Sequence, residues 1–368
     1  ISAFLPVERV PADLDLSSGG TSVLKGMDDA SSRGLNGARL CRKIMRLVPD
    51  KENFRVTLRA VKLWARRRGI YSNMMGYLGG VSWTIMTAYV CMTFRSSTPP
   101  TLLFRFFQLY YGYWDWPRPV LLTKPEEDEA NLGLREWNPE LYATDRRHFM
   151  PVITPVYPAT NTTHNVNFST FKVILDELAR GYEHVLHWLG QPLHSTYFED
   201  SLWRGLFEEI DFGNLYKTFL QIEVSATDCQ TELRWKALVE SRLRHLLLLL
   251  ETLNLKQIHL YPFDSSSGDG SKHSFFLGID MDSWRSNQAV QVLDQRLRSS
   301  VNQWIVQELD WQRDPITMMI SFRVTRQPEH GVASPGRYQH EHGPRSGRNG
   351  KGGKKRRSGQ QQHYWRAY

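Results

Sequence analysis

Four features that can recognise a nucleotide lie close together in the first half of the chain. Lys62 supplies a cation on a predicted helix, and Tyr71 supplies a hydroxyl group just beyond the end of that helix. Gly79 and Gly80 allow backbone to approach a flat ring or a phosphate closely. The N-terminus of the next helix carries partial positive charge that suits an anion. Together these are the parts of a nucleotide site, although a glycine pair before a helix more often only permits close packing.

Elsewhere in the sequence, few arrangements of side chains suggest catalysis or metal binding. Asp13 and Asp15 have the alternate spacing that puts two carboxylates on one face of a strand. Pro11 and the Ser/Gly run that follows predict a loop or a helix start instead, so we do not expect these aspartates to bind metal. The segment His340–His342 lies in a polar tail and is read as incidental. The motifs GxxxxGK[ST], HExxH and GxSxG are absent from the sequence, which thus predicts no catalytic residue and no metal ligand.

A predicted helix positions the cation and the hydroxyl group. One apolar face recurs at spacings of 4, 3 and 4 residues, through Phe54, Leu58, Val61 and Ala65. Gly69 is expected to close this helix, and the cluster Arg66–Arg68 is predicted to be its solvated end, stabilised by the helix dipole. A second apolar helix is predicted over about 82–93, with Ser82 as its N-cap residue.

The second half of the chain alternates strands and helices. In chain order the pattern predicts a strand over 216–224, a helix over about 231–253, strands at 258–263 and 275–281, a helix over about 289–309 and a strand over 318–324. The order is β-α-β-β-α-β, which is the split βαβ pattern of small RNA-binding domains.

Positive charge is concentrated at one end of the chain. The net charge of the 368 residues is +8, and residues 327–368 hold nine Lys or Arg and two Glu, which leaves only +1 for the rest. Because Gly, Ser, Arg, Gln and His dominate this tail, we expect it to be disordered. Its run Lys354, Lys355, Arg356 and Arg357 is typical of nuclear import signals and of nonspecific RNA contacts. A merely solubilising tail is the remaining alternative.

Cysteine usage and hydropathy favour a soluble protein of a reducing compartment. Cys41, Cys91 and Cys229 form no CxxC pair, so neither a disulfide framework nor a structural zinc site is expected. The first residues do not have the form of a signal peptide. The longest apolar run, Leu246–Leu250, is far shorter than the roughly 20 residues that a membrane helix needs.

Several long segments resemble the middle domain of eukaryotic nuclear poly(A) polymerases. The similarity covers most of residues 8–170 and continues more weakly to about residue 325. The segments that carry it are LNG (35–37), NFRVTLRAVKLWARRRGIYSN (53–73), GYLGGVSW (76–83), WDWPRPVLL (114–122) and HFMPVITPVYPATNTTHNV (148–166). The resemblance implies an α+β chain with three parts: a mostly helical middle domain over 1–165, an RRM-like RNA-binding domain over 166–326 and a disordered basic tail over 327–368.

The resemblance also implies roles for individual residues. Lys62 and Tyr71 match positions that contact the triphosphate of ATP, and Gly80 and Val81 match positions that line the adenine pocket. The full set of residues expected at the nucleotide is Asn36, Lys62, Tyr71, Asn73, Gly79, Gly80 and Val81. Met150 and Asn165 match positions near the RNA 3′ end, with a core residue and a turn cap, respectively, as the alternatives.

The function implied by the resemblance is template-independent addition of AMP from ATP to RNA 3′ ends during mRNA 3′-end processing in the nucleus. The reaction needs Mg²⁺ or Mn²⁺ held by carboxylates, and the family's catalytic aspartates are expected upstream of Ile1, so the chain alone is expected to be inactive. The expected partners are the RNA 3′ end, ATP, and cleavage and polyadenylation factors, with no membrane. A non-catalytic RNA-binding protein derived from such a polymerase, and an enzyme that adds uridylates, are the alternatives.

Overall fold

A computed structural model describes residues 24–124, 126–128, 131–189, 203–263, 265–266, 272–280 and 287–325. Several predictions lie outside these residues. They concern Asp13 and Asp15, the disorder of the tail over 327–368, and its basic run Lys354–Arg357. Within the described part, no helix is long and apolar enough to span a membrane.

The first part of the chain is helical, as predicted. Its helices are α1 (Asp29–Leu47), α2 (Lys51–Arg67), α3 (Gly80–Thr93) and α4 (Pro99–Phe107), and a π-helical segment, Gln108–Tyr113, continues α4. Asp50 caps α2 by accepting hydrogen bonds from the backbone N–H groups of Glu52 and Asn53. Gly69 follows α2 with φ of +68°, a conformation that favours glycine, so the predicted helix end is confirmed.

Aromatic side chains fill the core that these helices enclose. Trp64 on α2 lies edge-to-face against Trp83 on α3, with ring centroids 5.8 Å apart, and against Phe107 on α4 at 4.9 Å. All three rings are completely buried. Such contacts add to the free energy of burial and fix the mutual orientation of α2, α3 and α4, which positions the loop between α2 and α3.

A long helix, α5 (Phe168–Leu189), separates the helical region from a sheet. The sheet and its helices follow the predicted β-α-β-β-α-β order, with one added two-residue strand. The elements are β1 (Thr218–Ala226), α6 (Cys229–Glu251), β2 (Gln257–Leu260), β3 (Ser265–Ser266), β4 (Lys272–Asp280), α7 (Asn287–Trp304) and β5 (Met318–Thr325). The strand order is β2-β4-β1-β5, all neighbours are antiparallel, and β3 pairs with β4.

The prediction of a solvated arginine cluster at the end of α2 is wrong for Arg68. Only 6% of Arg68 is exposed, and its guanidinium donates to both carboxylate oxygens of Glu177 on α5, at 2.8 and 2.9 Å. Arg67 is half-buried and donates to the carbonyl of Phe207 at 2.9 Å. The sequence near Arg68 contains no sign of this partner, because Glu177 lies more than 100 residues along the chain.

The face of the sheet that is turned away from α6 and α7 is partly covered by the segment before β1. Gly278 on β4 leaves room for the ring of Tyr216, whose hydroxyl contacts Nδ1 of His259 at 2.9 Å. A Cβ atom at Gly278 would lie 2.2 Å from Cδ2 of Tyr216. Tyr216 therefore packs directly on the backbone of β4.

Replacing Gly278 by alanine is expected to lower the free energy of unfolding by about 1–3 kcal/mol, because the ring of Tyr216 must leave its place. Urea unfolding followed by tryptophan fluorescence would measure it. Gly112→Ala is the control, since a Cβ atom there meets nothing within 4 Å. Equal midpoints for the two variants would show that Tyr216 has room to move.

Candidate nucleotide site

The structure brings Lys62, Tyr71 and Gly80 together. A Cβ atom placed on Gly80 would lie 2.8 Å from the hydroxyl oxygen of Tyr71 and 3.7 Å from Nζ of Lys62. Gly80 is the first residue of α3. A cation, a phenol hydroxyl and the positive end of a 14-residue helix thus meet at one point.

The start of α3 differs from the prediction. The helix begins at Gly80 with Gly79 as its N-cap residue, and no side chain caps this end. Ser82 is not the N-cap: it lies inside the first turn, fully buried, and its hydroxyl is 2.9 Å from that of Thr162. The prediction failed because the strong capping preference of serine was outweighed by a tertiary partner. The consequence is that the first backbone N–H groups of α3 are left for a ligand or solvent.

Two asparagines predicted separately are in direct contact beside this helix end. Nδ2 of Asn165 donates to the carbonyl oxygen and to Oδ1 of Asn73, both at 3.1 Å. Nδ2 of Asn73 in turn donates to the carbonyl of Thr162 at 3.0 Å. A Cβ atom on Gly79 would be 3.2 Å from Cβ of Asn73. Asn73, Gly79 and Asn165 therefore form one group that borders the start of α3.

Gly76 makes this contact possible. Its φ of +90° is a conformation that other residues rarely adopt. A Cβ atom there would lie 3.1 Å from the carbonyl oxygen of Asn165. The loop from α2 to α3 can therefore pack closely on the segment that leads into α5.

Lys62 and Arg66 bring two positive charges to the site. Burial lowers the pKa of the Lys62 ammonium, and the positive charge of Arg66 lowers it further, while Cys41 acts weakly in the other direction. The guanidinium carbon of Arg66 lies 4.8 Å from the ring centroid of Tyr71. Sequence reasoning did not include Arg66 in the site. The signal that could have found it is its spacing of four residues from Lys62, which puts both side chains on one face of α2.

Three other residues proposed from the resemblance lie in surroundings that differ from one another. Val81 is 42% exposed at the first turn of α3. On α1, the Oδ1 atom of Asn36 accepts a hydrogen bond from Arg39 at 3.0 Å. Met150 is completely buried, and its carbonyl accepts a hydrogen bond from the hydroxyl of Thr163 at 2.6 Å. The roles of these residues at the nucleotide and at RNA stay predictions, and the side chain of Met150 is a core residue in this conformation.

The described residues do not provide a metal centre. Among them, no three His, Cys, Asp or Glu side chains lie close enough together to hold an ion. The positively charged surroundings of Lys62 and Arg66 suit an anionic ligand instead.

The sheet carries aromatic residues on its outer face, but they are covered. Phe219 on β1 and Phe276 on β4 are buried, and Phe212 packs on Phe219 with centroids 5.8 Å apart. Phe212 also stacks on Tyr261 at 4.4 Å. Small RNA-binding sheets commonly stack bases on exposed rings at central strands. Here those positions already pack against protein.

The part of this face nearer β5 is polar. Nε of Arg323 donates to Oε1 of Gln221 at 2.9 Å, and Nε2 of Gln221 donates to the hydroxyl of Ser274 at 3.0 Å. Beyond them, Lys272 pairs with Glu223 at 3.2 Å. This surface therefore offers hydrogen-bond donors and acceptors and charges of both signs. It is not an aromatic surface on which bases could stack.

A cavity of about 620 Å³ lies apart from the nucleotide motif, between α5 and the sheet. Asp176, Tyr216 and His259 line it, and it includes none of the residues predicted to bind nucleotide or RNA. His259 is 2% exposed, and burial, together with the charge of Arg68, lowers its pKa to about 3. The ring is therefore neutral at physiological pH.

Comparison with known proteins finds two family models that match consecutive parts of the chain. Residues 53–207 match the poly(A) polymerase central domain, and residues 211–268 match the poly(A) polymerase predicted RNA binding domain. The first match contains all the residues of the site except Asn36.

Curated relatives extend the similarity. The chain is 40% identical over 280 residues to Nuclear poly(A) polymerase 1 of Arabidopsis thaliana, which covers 75% of this chain and 37% of the relative. It is 38% identical over 299 residues to Nuclear poly(A) polymerase 4 of the same plant, covering 80% and 38%. It is 40% identical over 264 residues to Poly(A) polymerase pla1 of Schizosaccharomyces pombe, covering 72% and 44%. The chain thus spans less than half the length of these relatives.

Proposed function

Because this chain belongs to the poly(A) polymerase family, we propose that it is the nucleotide-contacting and RNA-binding part of an enzyme that adds adenylates from ATP to RNA 3′ ends. The observation that carries the proposal is the meeting of Lys62, Tyr71 and the uncapped start of α3 at Gly80. A polyanion placed there gains an ammonium, a hydroxyl donor and backbone N–H groups at once.

The proposed roles combine these positions with the family resemblance. Lys62 and Tyr71 bind the triphosphate, and Gly79, Gly80 and Val81 border the adenine, where the absence of side chains on the glycines lets the ring approach backbone. The resemblance adds Asn36 and Asn73 at the nucleotide. At the RNA 3′ end it adds Asn165 and Met150, although the side chain of Met150 is buried in this conformation. Asn165 is well suited to a coupling role, since it touches Asn73 directly.

Divalent ions supply charge neutralisation and an activated nucleophile in nucleotidyl transfer. The residues near Lys62 do not fit a metal ion, because they are cations, amides and a hydroxyl, and no metal-binding group of acidic or His and Cys side chains occurs among the described residues. We therefore propose that the carboxylates that hold Mg²⁺ or Mn²⁺ belong to a part of the protein outside the described residues. The contribution assigned to the described part is binding and orientation of ATP and RNA.

The setting of the reaction is also a proposal. The names of two relatives contain the word nuclear, and the basic run Lys354–Arg357 has the composition of an import signal. Both support a nuclear protein. The family resemblance adds mRNA 3′-end processing as the proposed setting and cleavage and polyadenylation factors as proposed partners.

The full-length protein is expected to extend an RNA oligonucleotide with adenylates when given ATP and Mg²⁺ or Mn²⁺, and to prefer ATP to UTP. Lys62→Ala should lower kcat/KM for ATP by about 10- to 100-fold, the range expected when one charged hydrogen-bond partner is lost. Gel analysis of the extended RNA measures both effects.

Lys124→Ala is the control for charge, because the side chain of Lys124 is 83% exposed and pairs only with Glu127 among the contacts of the described residues. It should extend RNA as the unmodified protein does. RNA binding without any adenylate addition by the full-length protein would reject the polymerase function and favour a non-catalytic RNA-binding protein. Equal use of UTP would reject the specificity for ATP.

A further inference from the structure

We propose that Arg66 is a positioning residue of the triphosphate site: its guanidinium holds the Tyr71 ring so that the hydroxyl stays beside Lys62 at the start of α3. This inference rests on the proposed function, since it assumes that a triphosphate binds there. It assigns a role to a residue that neither the sequence motif nor the family resemblance singled out.

The first argument is the geometry of the contact. The guanidinium carbon of Arg66 lies 4.8 Å from the ring centroid of Tyr71, within the distance at which a cation over an aromatic face is attracted. Arg66 lies in the last turn of α2, and Tyr71 lies beyond the turn at Gly69. The contact therefore spans the turn and links the ring to the helix that also carries Lys62.

The second argument is the position of the hydroxyl group. The Tyr71 hydroxyl lies 2.8 Å from the place where a Cβ atom on Gly80 would be. Among the described residues it forms no hydrogen bond that would hold it there. Its position is thus determined by how the half-buried ring is held, and the guanidinium of Arg66 is one of the groups that hold it.

The third argument is the balance of charge. Lys62 and Arg66 lie four residues apart on α2, and within the described part of the chain neither forms an ion pair with a carboxylate. Like charges at this spacing destabilise a helix, and the charge of Arg66 lowers the pKa of Lys62. Arg68, by contrast, is fully paired with Glu177. Two uncompensated cations beside the uncapped N-terminus of α3 are complementary to a polyanion.

A simpler role for Arg66 is that of a cation near the C-terminus of α2, where it would interact favourably with the helix dipole. Lysine would serve that role equally well. The planar guanidinium, however, covers an aromatic ring in a way that an ammonium does not. The substitution Arg66→Lys therefore separates the two roles.

The test measures binding of ATP and of adenosine to the full-length protein by calorimetry. Arg66→Met should weaken ATP binding roughly three- to tenfold, as expected for loss of a cation–π contact and a nearby charge, and should leave adenosine binding within about twofold. Arg66→Lys should fall between the unmodified protein and Arg66→Met. Arg59→Met is the matched control, because Arg59 is an exposed arginine on another part of α2.

Two further measurements address positioning. In a double-mutant cycle, the effects of Arg66→Met and Tyr71→Ala on ATP affinity should be less than additive, because each substitution removes the same contact. The pKa of Lys62, followed through the pH dependence of its acylation, should rise in Arg66→Met, since the charge of Arg66 lowers it. Additive effects on ATP affinity would restrict Arg66 to its interaction with the helix dipole. The rise in the pKa of Lys62 tests only whether the two positive charges interact.

The outcomes separate this inference from the function on which it rests. If the unmodified protein binds ATP no more tightly than adenosine, the triphosphate site itself is rejected. If it prefers ATP but Arg66→Met behaves like Arg59→Met, or Arg66→Lys binds ATP fully, only the positioning role of Arg66 is rejected. Additive effects of Arg66→Met and Tyr71→Ala would also reject it.

Discussion

Gly80→Ala is expected to weaken ATP binding by about tenfold while it changes the free energy of unfolding by less than about 1 kcal/mol. The added Cβ atom would lie 2.8 Å from the Tyr71 hydroxyl, so that hydroxyl must move. The atom that must move is the end of a side chain, which costs little in the folded protein, and alanine favours a helix more than glycine does. The phosphate would nevertheless lose a hydrogen-bond donor, and such bonds to charged groups contribute about 1.5–3 kcal/mol.

Gly112→Ala is the control for this prediction, since nothing lies within 4 Å of a Cβ atom at that position. Calorimetry gives the affinity for ATP, and urea unfolding gives the stability. If Gly80→Ala binds ATP as tightly as Gly112→Ala, the phosphates do not lie between Tyr71 and the start of α3. If Gly80→Ala lowers the free energy of unfolding as well, the prediction is wrong, because the weaker ATP binding then follows from a change in the fold and not from the displaced hydroxyl.

Local patterns were sufficient to predict most of the fold. The apolar spacing along α2 predicted the buried face that contains Val61 and Ala65, and the glycine at position 69 predicted the end of the helix. The sheet followed the predicted order because its strands and helices differ clearly in periodicity. Strand β2 is shorter than predicted, ending at Leu260, since Pro262 has no N–H group to continue the ladder. The domain boundaries at 165 and 326 stay predictions.

Contacts between distant segments were not predictable from the sequence alone. Ser82 looks like an N-cap residue, and only the packing of Thr162 against it explains why the helix starts earlier. The burial of Phe219 likewise depends on Phe212, which belongs to the segment before β1, and Phe276 lies in the same buried cluster. Strand periodicity can place a ring on the outer face of a sheet. It cannot show that another segment covers that ring.

The candidate site could be predicted from the sequence only in part. Sequence reasoning selected Lys62, Tyr71 and Gly80 by their chemistry and their order along the chain, and the structure places them within one small volume. The direct contact of Asn73 with Asn165 depends on a loop that approaches from 92 residues away. Arg66 was predicted to be solvated, and it is exposed. The sequence contains no sign that its guanidinium also lies over the ring of Tyr71.

Arg68→Met is expected to lower the free energy of unfolding by about 3–5 kcal/mol, the cost of leaving a buried carboxylate without its partner. Arg68 and Glu177 are 6% and 8% exposed, and two hydrogen bonds of 2.8 and 2.9 Å join them. Urea unfolding measures the change. The control is Lys124→Met, which breaks an exposed pair with Glu127 and should cost less than about 0.5 kcal/mol.

The double substitution of Arg68→Met with Glu177→Leu distinguishes the cause of the loss. Removing both charges leaves no carboxylate buried alone, so the double variant should recover part of the stability lost by Arg68→Met. Recovery would show that the uncompensated charge of Glu177, not the lost volume of the arginine, destabilises the protein. An effect of Arg68→Met no larger than that of Lys124→Met would mean that Glu177 reaches solvent or takes up a proton.

The same pair also anchors the helix end next to the candidate nucleotide site. Arg68 is the C-cap residue that follows α2, and Tyr71 lies three residues further on. By tying this end to α5, the pair with Glu177 fixes the point from which the loop to α3 departs. The three consecutive arginines make separate contacts because their side chains point in different directions: Arg66 towards the ring of Tyr71, Arg67 towards the carbonyl of Phe207, and Arg68 into the core. ATP binding should therefore fall with stability in Arg68→Met, whereas in Arg66→Met it should fall while stability is retained.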